Sequence, residues 1–226
     1  MEELRNLVVR HAPDDWEATV DVGQLYKAID AGVAIQMVVL AADIRSSTLL
    51  MKEAIDFQAF AKAITDYVDF FHSIICHNTN GWFDKFTGDG FLAYWIVDKH
   101  SAAECLKHAV DAAFEVCDVF RNATEQELRA NSRNVPARMG ISVGIDAGLA
   151  SLVRIAGELT VVGSPVVGAV RMVSKASPYE IIANSYAGMK LLDDPAMLER
   201  IEVEPTVVTS KEYPDGQWAY RIRSRQ

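Results

Sequence analysis

Cysteine is scarce in this chain. Cys76, Cys105 and Cys117 are odd in number, fall in helical patterns and show no metal-ligand spacing. A disulfide framework or a thiolate metal site is therefore not indicated, and free buried thiols in a reducing compartment are expected. No apolar run approaches the ~20 residues of a membrane-spanning helix, so no direct membrane contact is expected. The opening residues, MEELRNLVVRH, lack an apolar core of signal-peptide type, which points to a cytoplasmic protein. Positive charge is also short: 22 Lys and Arg stand against 31 Asp and Glu, a net charge of −9. That balance argues against nucleic acid as a partner. Repeats and low-complexity stretches are absent. What remains is a globular composition, 50% hydrophobic and 23% charged, in 226 residues that suffice for one sizeable core.

The stretch that organises the rest is GWFDKFTGDGFLAYW, residues 81–95. Its aromatics supply two β-prone runs, and Thr87-Gly88-Asp89-Gly90 forms a tight turn, with glycines flanking the Asp to allow positive φ. The carboxylate of Asp89 is thus held at a hairpin tip, with Lys85 four residues before it. Taken alone, an Asp in a turn has a purely local explanation. A second acid changes the balance. Residues 34–44, AIQMVVLAADI, form an apolar run of buried-strand length that ends on Asp43 and leads through Arg45-Ser46-Ser47-Thr48 into a helical pattern. An acid at a strand end, followed by hydroxyls and free backbone N–H groups at a helix start, suits a divalent ion holding a polyphosphate.

Around these motifs the pattern predicts a helix over 47–77, a hairpin over 81–97, a helix over about 101–130 and a polar break at Asn131–Asn134. A strand over 137–146 follows, with a turn at Asp146–Gly148 and a second strand near 149–155. Val161 and Val162 belong to a short strand, and Ser164–Lys175 to a helix carrying Arg171. A strand over 179–184, a helix ending at Leu192 and strands near 200–208 and 217–222 complete the chain. Gly140 and Gly144 suggest close backbone approach. His72 and His77 are expected to be solvated or capping. The order β-α-β-β-α-β predicts a ferredoxin-like α+β sandwich with helices on one sheet face. Residues 1–33 read as an N-terminal extension that packs on its own domain or contributes to a dimer, and residues 34–226 as the main domain.

AADIRSST (41–48) followed by DKFTGDGFLAYW (84–95) and TVVGSPVVGAVRM (160–172) resembles the class III nucleotidyl cyclase domain. The resemblance covers nearly the whole chain and implies the ferredoxin-like palm of that family, extended by C-terminal strands. It implies that Asp43 and Asp89, with the backbone carbonyl of Ile44, bind two divalent metal ions (Mn²⁺ or Mg²⁺). The N–H groups of Arg45, Ser46, Ser47 and Thr48 would cradle the β and γ phosphates of a nucleoside triphosphate. Lys85 and Thr160 would read the base, and Arg171 would meet the transition-state phosphoryl oxygens. The implied reaction is cyclisation to a 3′,5′-cyclic monophosphate with release of pyrophosphate. In the family the metal-binding acids come from one subunit and the Lys and Arg from the other, so a homodimer with shared sites is implied. Taken singly, Lys85 and Arg171 read as an ordinary strand lysine and a surface helix arginine.

Lys85 with Thr160 is compatible with ATP, because lysine only donates and adenine N1 accepts; threonine can donate or accept and excludes little. A guanine reader in this family usually carries Glu in place of the Lys. The departure is Val167, where the family usually has an Asn that orients the ribose. That departure and the compact domain resemble the bacterial pyrimidine cyclases of anti-phage signalling, whose product is read by a separate effector protein. The lysine donor suits uracil O4 better than the cytosine amino group, which favours UTP, with CTP possible. The alternatives are an adenylyl cyclase and an inactive cyclase-like module that binds nucleotide or a partner. A diguanylate-type cyclase is disfavoured because Thr87–Phe91 lacks the second acid of that family's turn.

Overall fold

The computed structural model describes residues 2–209 and 213–225. Its centre is strand β1 (Ile35–Arg45), whose side chains go alternately to two cores. Val38, Leu40, Ala42 and Ile44 enter one, and Met37, Val39 and Ala41 the other, so the run is apolar throughout rather than alternating. The hairpin forms as expected, from β2 (Trp82–Phe86) and β3 (Gly90–Ile96). β3 lies antiparallel beside β1, in a register that runs from Met37–Ile96 to Asp43–Gly90. β4 (Gly140–Ile155) flanks β1 on its other side, again antiparallel. The sheet then continues through β6 (Ile181–Asn184), β8 (Gln217–Ser224) and β7 (Ile201–Val208), while β5 (Glu158–Gly163) pairs with the far end of β4. The order β2-β3-β1-β4 is that of the expected ferredoxin-like βαββαβ unit, and the C-terminal strands extend it.

Helices cover both faces, not one. Helices α5 (Phe57–Ser73) and α6 (Ala102–Val119) pack on the first. There Phe71 stacks on Phe91 with ring centroids 4.4 Å apart, and Tyr67 meets the same ring edge-on at 5.2 Å. The second face is covered by α8 (Ser164–Lys175) and by three N-terminal helices, α1 (Glu2–Val9), α2 (Trp16–Thr19) and α3 (Val22–Ala31). The physical reason is the two-sided burial of β1, which leaves Met37, Val39 and Ala41 in need of a cover. Trp16 supplies part of it, lying edge-on to Trp82 at 5.9 Å.

Two expected elements divide differently. The helix expected over 47–77 splits into α4 (Ser47–Glu53) and α5, which continues into a π-helical turn over Ile74–Asn78. Asp56 caps α5 by accepting from the amides of Gln58 and Ala59, and so starts a new helix. The helix expected over 101–130 opens on a Ser101–Glu104 capping box and passes through a π-helical turn into α7 (Glu125–Ala130). The two strands expected on either side of Asp146–Gly148 are instead one, β4, since β1 pairs with it on both sides of Gly148. Gly144 does mark a close approach: a Cβ there would fall 2.1 Å from the carbonyl oxygen of Ala169 in α8. Beyond β6 come α9 (Ser185–Leu192) and α10 (Pro195–Arg200), the latter unexpected. His77 Nδ1 lies 2.7 Å from Asp14 Oδ2, and His72 is half-buried against Cys76.

Because Trp16 is buried between the N-terminal helices and the sheet, Trp16→Ala is expected to cost about 3–5 kcal/mol. Chemical denaturation measures this, and a loss below about 1 kcal/mol would show that the N-terminal segment does not cover the second face.

Candidate active site

The sheet brings the two acids of the sequence motifs side by side. Asp43, at the last rung of the β1–β3 ladder, lies opposite Gly90, and the Ile44 amide donates to the carbonyl oxygen of Asp89 at 3.0 Å. The hairpin closes through the Thr87 amide, 2.8 Å from the Gly90 carbonyl oxygen. Of the two glycines that flank Asp89, Gly88 alone adopts positive φ, +93°. Gly90 serves a different need, since a Cβ there would fall 2.8 Å from the Ala42 carbonyl oxygen. Each carboxylate is then held by a neighbour. The Ser47 hydroxyl donates to Asp89, and Arg45 Nη1 lies 3.3 Å from Asp43 Oδ2. Arg45 Nε donates to Ser142 Oγ at 2.8 Å, and Ser142 passes its own hydrogen to the Ser177 carbonyl at 2.7 Å. Burial holds the Asp43 carboxyl above its usual range; Arg45 pulls it down and the charge of Asp89 pushes it up.

Two acids of like charge at a strand end, each with oxygens left over, make a site for a hard cation. Among the described residues no group of three or more His, Cys, Asp or Glu is placed to hold a metal ion. Such an ion would therefore complete its shell with backbone carbonyls, water or phosphate oxygens, which suits Mg²⁺ and similar ions bound through one or two carboxylates. The Arg45 guanidinium meets Asp43 through Nη1 and Ser142 through Nε, while its Nη2 is buried without a hydrogen-bond partner. Ser46 sits in the left-handed region, φ +63°, at the start of α4. Thr48 is exposed, and with Ser47, Gly88 and Asp89 it borders an apolar cleft of 410 Å³ that also contains Phe57, Phe60 and Phe86.

The expected base-reading residues also meet. Lys85 Nζ lies 2.6 Å from Thr160 Oγ1, joining β2 to β5 across the second face. Sequence reading missed the residue beneath them. Asp84, its side chain 1% exposed, accepts from the Val161 amide at 2.9 Å and from the Thr160 hydroxyl at 3.1 Å, and lies 3.3 Å from Lys85 Nζ. The ladder between β2 and β3 slips between Phe83 and Lys85, so Asp84 is the extra residue of a β-bulge. Bulges re-aim side chains in this way and are not visible as a period-2 pattern. Among the described residues no hydrogen bond or ion pair links Lys85 or Thr160 to Asp43 or Asp89 within the chain.

Arg171 lies on α8, its guanidinium 5.2 Å from the centroid of the Tyr213 ring. Beneath α8 is a second carboxylate that the sequence pattern placed only in a turn. Asp146 is buried on the α8 side of β4, accepts from the Ala147 amide at 2.6 Å and from the Asn184 side chain, and faces Gly168. A Cβ on Gly168 would fall 1.6 Å from Asp146 Oδ2, so any larger residue here would displace the Asp146 carboxylate. Burial pushes the Asp146 carboxyl up to about 7, against the pull of the Ala147 amide, the Asn184 amide and the Arg171 charge. Val167 and Val170, on the outer side of α8, are 55% and 49% exposed, and Val162 and Leu149 are exposed as well. The raised Asp146 value has a definite sign. Between about pH 4 and 7 the unfolded chain has lost this proton and the folded chain keeps it, so this group's stabilisation falls as pH rises through that window and is gone above it. Asp146→Asn is expected to flatten the melting-temperature profile between pH 5 and 8, and an unaltered slope would mean the carboxyl is not the titrating group.

No protein-family model and no curated protein matches the chain. Solved structures do. The adenylyl cyclase CyaB from P. aeruginosa superimposes with a TM-score of 0.73 at 20% identity, over 85% of this chain and 96% of that one. The guanylyl cyclase Cya2 gives 0.68 at 21% identity, over 84% and 93%. The catalytic core of a rhodopsin-guanylyl cyclase with converted specificity, solved with ATPαS, gives 0.67 at 15% identity, over 85% and 98%. No helix among the described residues is long and apolar enough to cross a membrane. With the sheet order, the hairpin carrying Asp89 and the flanking helices in place, the chain has the palm fold of the class III adenylyl and guanylyl cyclase domains.

Proposed function

We propose that the chain is a nucleotidyl cyclase that converts a nucleoside triphosphate to its 3′,5′-cyclic monophosphate and pyrophosphate. The observation that carries this reading is the pairing of Asp43 and Asp89, locked in register by the β1–β3 ladder and the Ile44 amide. Divalent ions held there would make the 3′-hydroxyl nucleophilic and neutralise charge on the phosphates. Asp43, Asp89 and the Ile44 carbonyl would hold them, while Ser47 orients Asp89 and Arg45 steadies Asp43. The turn through Ser46, Ser47 and Thr48 faces the terminal phosphates. Arg171 carries a permanent charge for the phosphoryl oxygens, and Lys85 with Thr160 reads the base.

The site is completed by a second copy. Within one chain Lys85 and Thr160 make no hydrogen bond or ion pair with Asp43 or Asp89, and exposed Val162, Val167 and Val170 supply apolar surface beside Thr160 and Arg171. A homodimer in which each copy offers its acids to the other copy's Lys85, Thr160 and Arg171 accounts for both. For the base, a pyrimidine triphosphate is proposed, UTP before CTP, with the product acting as a messenger to an effector in anti-phage defence. This rests on Val167, an exposed apolar side chain where a ribose-orienting Asn stands in the resembled family. The direct Lys85–Thr160 contact supports a second reading equally, an adenylyl cyclase, because that pair is the one of adenine-reading members.

Purified protein with Mn²⁺ and each of ATP, GTP, CTP and UTP, read by mass spectrometry, tests this. A cyclic pyrimidine nucleotide is the expected product, cyclic AMP alone would select the second reading, and no product from any of them would overturn the enzyme. Asp43→Ala and Asp89→Ala are each expected to lower turnover by about a thousandfold or more, since several kcal/mol of transition-state stabilisation leaves with the ion. Mixing Asp89→Ala with Arg171→Ala is expected to restore one intact site per heterodimer. No recovery under confirmed subunit exchange would rule out the shared site.

A further inference from the structure

We infer that Asp84 is a specificity-determining positioning residue, which fixes the polarity of the Lys85–Thr160 pair and thereby the base the site accepts. The inference rests on the cyclase reading above for its reaction, and on hydrogen-bond chemistry for its content. Asp84 sits on the β-bulge of β2, buried beneath β5, with one carboxylate oxygen on the Val161 amide and the other on the Thr160 hydroxyl. A carboxylate only accepts, so the single hydrogen of Thr160 points to Asp84. An ammonium only donates, so the 2.6 Å contact from Lys85 occupies one lone pair of Thr160. Thr160 is left with one outward lone pair and no outward hydrogen. Lys85 directs one N–H at Thr160 and one towards Asp84, which leaves one for a ligand.

The pair therefore presents one donor beside one acceptor in a fixed order. A threonine hydroxyl without Asp84 would rotate and serve as either, and would tolerate any base edge. With its hydrogen taken, the site recognises an edge on which an acceptor and a donor lie side by side in the matching sense. Adenine and cytosine offer a ring nitrogen beside an amino group, whereas uracil and guanine offer a carbonyl beside a ring N–H. A fixed donor–acceptor pair separates these by the placement of the two atoms, which a rotating hydroxyl cannot do. The bulge is the local device, since it turns Asp84 and Lys85 towards the same β5 residue instead of to opposite faces.

The test compares wild type with Asp84→Asn and Thr160→Val, each confirmed folded by its thermal transition. An asparagine amide can donate to Thr160, freeing the threonine hydrogen to point outward and changing the display to two donors. Thr160→Val removes the acceptor while leaving Asp84 its contacts with the Val161 amide and Lys85, so it sets the loss expected when the pair's order is broken. Asp84→Ser, which keeps a short polar side chain on the bulge, reports where Asp84→Asn fails to fold. Two readouts are taken for ATP, GTP, CTP and UTP: kcat and KM with Mn²⁺, and the Kd of each matching 3′-deoxynucleoside triphosphate, which cannot cyclise. The expected result is a loss of about tenfold in the ratio between the preferred base and its competitors, read in KM and Kd. Variants that weaken all four nucleotides in the same proportion, or keep the wild-type ratios, would overturn the inference. If wild type forms no product yet binds one 3′-deoxy nucleotide in preference and the variants lose that preference, the cyclase reading falls and the role of Asp84 stands. If wild type binds all four equally, the role of Asp84 falls.

Discussion

The antiparallel pairing of β1 with β3 is the constraint on which the rest depends. Its final rung sets Asp43 against Gly90, and the Ile44 amide reaches past it to the Asp89 carbonyl. The ladder is rigid because it is buried on both sides. Phe91, the first large side chain after the turn, is clamped between Phe71 and Tyr67, and Leu92 and Tyr94 point into the opposite core. A one-residue slip in this register would send every one of these side chains to the wrong face. The core thus fixes the relation of two carboxylates at the rim, and the mutual repulsion of those carboxylates is what a bound cation would relieve.

Four carboxylates face or border the same side of the sheet, and their surroundings give them different work. Asp43 and Asp89 keep part of their surface towards solvent and are steadied by Arg45 and Ser47. Asp84 is buried, and its oxygens are matched by an amide, a hydroxyl and an ammonium, so it orders the polar atoms around it. Asp146 is buried under α8 with an amide and an Asn for company and the Arg171 charge nearby, and it holds its proton up to about pH 7. Gly144 and Gly168 let the helix lie directly on this strand, since a Cβ on either would strike the facing backbone or carboxylate. Arg171 is carried by that close-packed helix, so its position follows from backbone contacts rather than from its own side chain.

Much of the fold was legible locally. The apolar run ending on Asp43, the Gly-Asp-Gly turn and the long amphipathic stretches each carry their own periodicity, and each became the expected type of element. Boundaries failed where tertiary pairing overrode local signals. Gly148 reads as a turn, but continuous pairing with β1 carries the strand through it. The break before Phe57 is visible only once Asp56 is recognised as a cap.

The sequence by itself determined which residue types the site could use and in what order they come along the chain, because strand ends, tight turns and helix faces are local properties. It also marked β1 as a buried strand by its unbroken apolar run, but the cover on its second face came only with the tertiary structure. Only the tertiary structure decided that residues 2–33 and α8 supply the second cover, that Lys85 reaches Thr160, and that Asp84 and Asp146 lie beneath the reading pair and the arginine helix. Those relations join residues dozens of positions apart and depend on a bulge and on two missing Cβ atoms. No period or propensity in the chain encodes such contacts until the sheet has closed around them.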